Sequence, residues 1–179
     1  MILLRKSSEQ EGNMRTTLKK MTTVEELKEM SSLATEILKE HYDPIVGEET
    51  NSHMLKKYQS VEGIAAEVKG GAEYYFAQAQ GNSVGFVAID KKSGYMYLSK
   101  FYLLKSARGN GYASEMMSFV KQKTQENGLD RIRLNVNAAN SDTIDRYLHF
   151  GFKIVEDVKK DVGDGYSVHD YVMECIINQ

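Results

Sequence analysis

The residues best placed to do chemistry lie in the run Leu103-Leu104-Lys105-Ser106-Ala107-Arg108-Gly109-Asn110-Gly111-Tyr112-Ala113-Ser114, between a strand pattern and a helix pattern. At such a junction the first-turn amides of the helix have no intrahelical acceptor, and the helix dipole turns its positive end toward them. Glycines let a phosphate reach the backbone without meeting a side chain, and Arg108 adds a fixed charge. The chemistry on offer is anion binding. A tight strand-to-helix turn would also use Gly109 and Gly111, so the wider context has to decide. A Walker-type loop is disfavoured because no Lys followed by Ser or Thr stands at the required distance after these glycines. A dinucleotide fingerprint is disfavoured too. It would place Gly or Ala where Ser114 stands, and a carboxylate at the end of the next strand where Asn137 stands.

The elements around this loop follow from periodicity. The first dozen residues are polar and without period, so residues 1–13 read as a flexible extension and 14–179 as a single domain. A first strand over Thr16–Met21 precedes a helix capped by Thr22 or Thr23, with Val24, Leu27, Met30, Leu33, Ala34, Ile37 and Leu38 on one face. That helix should stop before Pro44. A second helix over Glu48–Tyr58 turns Met54, Leu55 and Tyr58 inward, and a short one follows near Val61–Val68. From Glu73 the period becomes two, giving a hairpin about Gly81-Asn82 and then a strand over Tyr95–Leu104. Beyond the glycine loop come a helix over Tyr112–Glu126 stopped at Gly128 and a strand over Arg131–Asn137. Those two strands should be parallel, joined by a right-handed crossover. Asn140 or Ser141 caps a short helix ending at Gly151, and strands over Phe152–Val158 and Val168–Ile177 flank a turn at Asp161–Gly165.

Arg108-Gly109-Asn110-Gly111-Tyr112-Ala113 matches Gln/Arg-x-x-Gly-x-Gly/Ala, the pyrophosphate loop of the GNAT-type N-acetyltransferases. The resemblance runs in order from Thr16 to Ile177. It includes a second motif: Val136-Asn137-Ala138-Ala139-Asn140, then Tyr147, then Gly151-Phe152. It implies an α+β fold with a mixed, mostly antiparallel twisted sheet, a central parallel splay, and flanking helices. It also implies acetyl-CoA as co-substrate, held at Arg108, Gly109, Asn110, Gly111, Tyr112, Ala113 and Ser114. Pantetheine would lie along Phe101 to Leu103, with the Leu103 amide donating to the thioester carbonyl and Asn140 facing the cofactor. Tyr147 would be the general acid that protonates the departing thiolate. A phenol of pKa ~10 can serve a thiol of ~8.5, because the proton is needed only as charge develops on sulfur. Without the motif, Tyr147 reads as a core tyrosine beside Ile144 and Leu148, and Asn140 as a simple cap.

An amine acceptor must lose a proton before attack, and the residues do not identify the base. Relatives often place a glutamate on the fourth strand, whereas Tyr95–Leu104 has no acid. A water relay through Tyr97 or Ser99 is one route, and His41, His149 and His169 are alternatives. The run Gly163-Asp164-Gly165-Tyr166, followed by Asp170-Tyr171-Val172-Met173-Glu174, resembles bacterial small-molecule acetyltransferases, including a polyamine-acetylating branch. Glu48, Glu49, Asp170 and Glu174 would then receive a polycation. Acetylation of a protein or peptide amine, and a non-catalytic acetyl-CoA sensor, are the other readings. Resemblance also suggests a homodimer through the sheet edge or the C-terminal strands, for which Val168–Ile177 is apolar enough.

Composition narrows the field from another side. In 179 residues, 23 basic and 25 acidic side chains leave a net charge of −2, which argues against a broad nucleic-acid footprint. The lone Cys175 cannot form an internal disulfide, and no Cys/His pattern has zinc spacing, so no metal is expected. Ile2-Leu3-Leu4 is followed at once by Arg5 and Lys6, too short an apolar run for a signal core or a membrane span. The cytoplasm is the expected compartment.

Overall fold

The computed structural model describes residues 15–163 and 166–177. The expected extension at 1–13, and Asp164 and Gly165 of the C-terminal turn, lie outside the described residues. A seven-stranded sheet runs in the order β1-β2-β3-β4-β5-β7-β6. Its strands are β1 (Thr17–Lys20), β2 (Ala72–Ala79), β3 (Asn82–Lys92), β4 (Tyr95–Leu103), β5 (Arg131–Asn137), β6 (Lys153–Gly163) and β7 (Tyr166–Ile176). Five α-helices accompany it: α1 (Val24–Val46), α2 (Glu48–Tyr58), α3 (Val61–Lys69), α4 (Tyr112–Glu126) and α5 (Ser141–His149). All neighbouring strands are antiparallel except β4 and β5. This is the α+β class expected from the sequence.

Alternation along the strands divides the core into two layers. On β3, Phe86 and Ala88 join Met30, Ala34 and Ile37 of α1, Ile64 of α3, and Tyr74 and Phe76 of β2. On the opposite face, Val87 and Ile89 join Met116, Met117 and Val120 of α4, Ile132 and Leu134 of β5, and Met173 of β7. α1 and α3 thus cover one face of the sheet and α4 and α5 the other, while α2 packs on α1 and α3, which sets α1 and α5 on the two sides of β4. The entry to α1 is a full capping box. Glu26 N–H donates to Thr23 Oγ1 (3.1 Å), and Glu26 Oε2 accepts from the amides of Thr22 (2.7 Å) and Thr23 (3.1 Å).

Two expectations change in the helical section. The first helix does not stop before Pro44 but passes through it to Val46, where the Gly47 amide donates to Asp43 O (3.1 Å). Proline lies so near the helix end that only one intrahelical bond is lost, and the extra residues close the helix with the exposed Ile45 and Val46. On α2, Met54 and Tyr58 are exposed, and the inward positions are Leu55 and Asn51. Buried Asn51 is satisfied by donating to Leu38 O (3.1 Å) and Asp43 Oδ1 (2.7 Å), so it ties α2 to the end of α1.

Candidate active site

The site begins with a miscount between two strands. Along β3 and β4, Ala88 pairs with Lys100 but Ile89 pairs with Leu98, so Ser99 is one residue in excess, a β-bulge whose hydroxyl donates to Ala88 O (3.2 Å). The bulge bends β4 where its pairing with β5 ends. Only Met96↔Ile132 and Tyr97↔Arg133 are joined, and from Leu98 onward the two strands diverge. The Leu104 amide is bonded to Val84 O (2.9 Å) on the β3 side. By alternation the amides of Leu103 and Phe101 face the opposite way, into the gap between β4 and β5. A sheet interior rarely leaves such groups unpaired, and here they line an opening.

The gap continues into the glycine loop. A 3-10 turn at Lys105–Ala107 leads to Gly109 (φ +78°) and Gly111 (φ +82°), both left-handed, and α4 then starts at Tyr112. The backbone bond from Arg108 N–H to Lys105 O (3.3 Å) is followed next by that from Ser114 N–H to Gly111 O (3.1 Å). Among the described residues, the amides of Gly109 to Ala113 have no backbone acceptor. They gather at the positive end of a 15-residue helix, an arrangement suited to an anion. Asn110 braces the loop from within, its Nδ2 donating to Ala107 O (3.1 Å) and Arg108 O (3.4 Å). Arg108 folds back to donate to Leu103 O (3.3 Å), joining loop and splay.

Together these parts enclose a cleft of ≈ 1080 Å³. Of the residues nominated from sequence, Leu103, Arg108, Gly109, Gly111, Tyr112, Ala113, Asn140 and Tyr147 line it. Asn110 and Ser114 do not: Asn110 acts as the internal brace, and the exposed Ser114 has its amide engaged with Gly111 O. Asn140 stands at the N-cap of α5, yet its side chain makes no cap bond. Only its carbonyl serves the helix, accepting from Ile144 N–H (3.0 Å). Its amide group is thus not committed to capping.

Tyr147 is held by aromatic packing. Its ring lies 5.4 Å from Phe152 and 6.3 Å from Phe101, centroid to centroid, which fixes it in the cleft wall beside β4. Burial, together with the nearby phenols of Tyr42 and Tyr97, raises its pKa well above the ordinary tyrosine value. Tyr102 shares this environment. Its phenol is raised by burial and by electrostatic and hydrogen-bond contact with Tyr42. Four phenols from α1, β4 and α5 thus converge. Tyr42 and Tyr102 join Tyr147 only through the fold, as residues of α1 and β4 that carry no local signal of a shared site.

The basic and acidic groups sort differently from expectation. His41 and His149 line the cleft, whereas His169 bonds Asp157 Oδ1 (2.7 Å) on the β6–β7 hairpin. The pKa of His41 is lowered by burial and then by the charges of Arg108 and Arg146. Arg146 also lines the cleft and was not singled out in the sequence. None of Glu48, Glu49, Asp170 and Glu174 is among the cleft residues; Glu174 instead pairs with Arg133 (2.6 Å) and Arg131 (3.8 Å). The carboxylates that do line the cleft are Asp142 and Asp145 on α5. Among the described residues no His/Cys/Asp/Glu cluster could hold a metal ion, and no helix is long and apolar enough to cross a membrane.

The family model described as an acetyltransferase (GNAT) domain matches residues 7–175. Comparison with curated protein sequences gives no match. Among solved structures, the fold is similar to PaiA N-acetyltransferase from Thermoplasma acidophilum in complex with coenzyme A. That match has a TM-score of 0.75 and 21% identity, covering 91% of this chain and 99% of the other. It is also similar to a GNAT family acetyltransferase from Elizabethkingia anophelis with acetyl-CoA bound (TM-score 0.61, 11% identity, covering 91% and 99%). A third is the ribosomal-protein-S18-alanine N-acetyltransferase from Escherichia coli (TM-score 0.66, 15% identity, covering 92% and 95%).

Proposed function

The chain belongs to the acetyltransferase (GNAT) domain family, and from that premise we propose that it transfers the acetyl group of acetyl-CoA to a small primary amine by direct attack in a ternary complex. The observation that carries this reading is the shared cleft: unpaired amides at the head of α4, the unpaired edge of β4 and Tyr147 beside Phe101 all line one cavity.

Acetyl-CoA supplies an activated acyl group and a thiol leaving group. The amides of Gly109 to Ala113, the dipole of α4 and the Arg108 guanidinium hold the pyrophosphate. The edge of β4 from Phe101 to Leu103 offers main-chain partners to pantetheine, in the manner of an added strand, and Asn140 offers its side-chain amide from the facing helix. The Leu103 N–H donates to the acyl oxygen as negative charge develops there, and its fixed direction means that little reorganisation is needed. The Tyr147 hydroxyl gives its proton to the departing sulfur. Its raised pKa keeps that proton in place across the neutral range. His41, whose charged form is disfavoured by burial and then by Arg108 and Arg146, is a base candidate that lines the same cleft.

For the acceptor, a polyamine is the class suggested by the C-terminal run. The phenol faces of Tyr42 and Tyr147, with Asp142 and Asp145, are the groups in the cleft that would favour a cation. The test is a screen of free-thiol release from acetyl-CoA against a panel containing spermidine, spermine, amino sugars, amino acids and a peptide N-terminus. Amine-dependent release identifies the enzyme and its acceptor. No release from polyamines at millimolar concentration, alongside release with another amine class, removes the polyamine assignment. Tight acetyl-CoA binding with no release from any amine would favour the sensor instead.

A further inference from the structure

Arg15, at the entrance to β1, reaches the glycine loop from outside the cleft. Its Nη2 donates to the carbonyl of Asn110. Its own amide donates to Glu115 Oε1 (3.3 Å), its Nε stands 4.0 Å from the same oxygen, and its guanidinium lies 5.8 Å from the Tyr112 ring centroid. Gly111 leaves the room for this: a Cβ added there would meet Arg15 Nη2 at 2.8 Å. Arg15 is not among the residues lining the cleft.

In a trans peptide the carbonyl of one residue and the amide of the next point in opposite directions across one plane. A guanidinium that holds the Asn110 carbonyl outward therefore aims the Gly111 N–H inward, toward the anion. On the reading of the loop as the acetyl-CoA pyrophosphate cradle, we infer that Arg15 is a positioning residue of that cradle, locking the 110–111 peptide in its donating orientation and adding positive charge behind it. Glu115, in the first turn of α4, holds Arg15 in place, and the Asn110 side chain steadies the turn just before this peptide by donating to Ala107 O and Arg108 O. Two residues 95 positions apart in sequence thereby set the direction of one amide.

Calorimetric titration of the purified protein with CoA, 3′-dephospho-CoA and pantetheine tests this, with Tm recorded for each variant. Arg15→Ala is expected to weaken CoA and dephospho-CoA alike by about tenfold, the scale of one charge-assisted hydrogen bond. Pantetheine binding is expected to stay unchanged. Saturating acetyl-CoA should restore kcat to within about twofold, so the defect lies in KM. Arg15→Lys should recover part of the loss. If Arg15→Ala lowers Tm by more than about 5 °C, Arg15→Gln, which keeps a donor without the charge, takes its place. A lowered Tm with unchanged CoA affinity would overturn the inference, leaving Arg15 as a strut. So would a loss seen with CoA but not with dephospho-CoA, which would mean direct contact with the 3′-phosphate. Failure of the wild-type protein to bind CoA at all would instead overturn the reading of the loop, and the inference with it.

Discussion

Replacing Tyr147 with Phe removes one oxygen from the cleft wall and leaves the ring's packing against Phe101 and Phe152 in place. Stability should therefore change by less than about 1 kcal/mol, since no cavity is opened and no ring contact is lost. The proton is another matter. General acid catalysis is worth about 10²–10⁴-fold, so kcat at saturating acetyl-CoA should fall by about 10²-fold or more, roughly 2.7 kcal/mol of barrier at the lower limit. The proposed phosphate anchors are Arg108 and the amides of Gly109 to Ala113 and do not include Tyr147, so KM for acetyl-CoA should stay within about threefold. The pH dependence sharpens the test. Burial and the phenols of Tyr42 and Tyr97 raise the Tyr147 pKa, so the wild-type group stays protonated well beyond ~10, its ordinary value. The deficit of the Phe variant should then be constant from about pH 7 to pH 9, while both proteins gain rate as the acceptor amine loses its proton. Thiol release followed spectrophotometrically gives all three quantities. A kcat within about threefold of wild type, or a raised KM with kcat preserved, would refute the acid assignment and make Tyr147 a packing residue.

Gly109→Ala forces a Cβ into a left-handed conformation (φ +78°) with open space around it, so it should cost about 1 kcal/mol of strain. Gly111→Ala adds displacement of Arg15 to the same strain, and its acetyl-CoA KM should rise by more than that of Gly109→Ala; equal effects would count against the Arg15 contact. The Glu26 carboxyl is lowered to about 2 by Lys19 and by the amides of Thr22 and Thr23. A depressed acid stabilises above its unfolded pKa and loses that contribution as pH falls through its folded value, so stability should drop between about pH 4.5 and 2. Glu26→Gln should flatten that part of an acid-denaturation curve, and an unchanged curve would remove the capping box as its cause. Thr23→Ala should lower stability by about 1 kcal/mol in urea denaturation, through loss of the N-cap acceptor.

Much of this architecture was readable because the relevant forces are local. The bounds of α4 and β5 coincide with the periodic runs between Gly111, Gly128 and Asn137, where glycine and alternation act within a few residues. The glycine turn into α4 was legible for the same reason. What escaped depends on tertiary context. Pro44 reads as a helix stop, but near a helix end it removes only one bond, and burial of the preceding apolar face outweighs that loss. Asn51 carried no signal of burial in the sequence, and it is buried because two oxygens on α1 accept from its amide. Arg146 and Arg15 had no local signature, since each acquires its role from a partner on a distant element. Glu174 looked available for a cationic acceptor only because Arg133, 41 residues away, could not be seen beside it.

The surplus residue at Ser99 has a consequence for how this protein could lose its activity. The opening between β4 and β5 is set by how many residues β4 contains, and hardly by which ones they are. Substituting Ser99 would remove one hydroxyl and leave the bend. Deleting a single codon there would restore even pairing with β3, keep Phe101 opposite Val87 and Leu103 opposite Gly85, and remove the bend that parts β4 from β5. A survey of point substitutions would pass over this position as tolerant. A survey of single-residue deletions would find it among the least tolerant in the chain, in a protein that could still fold.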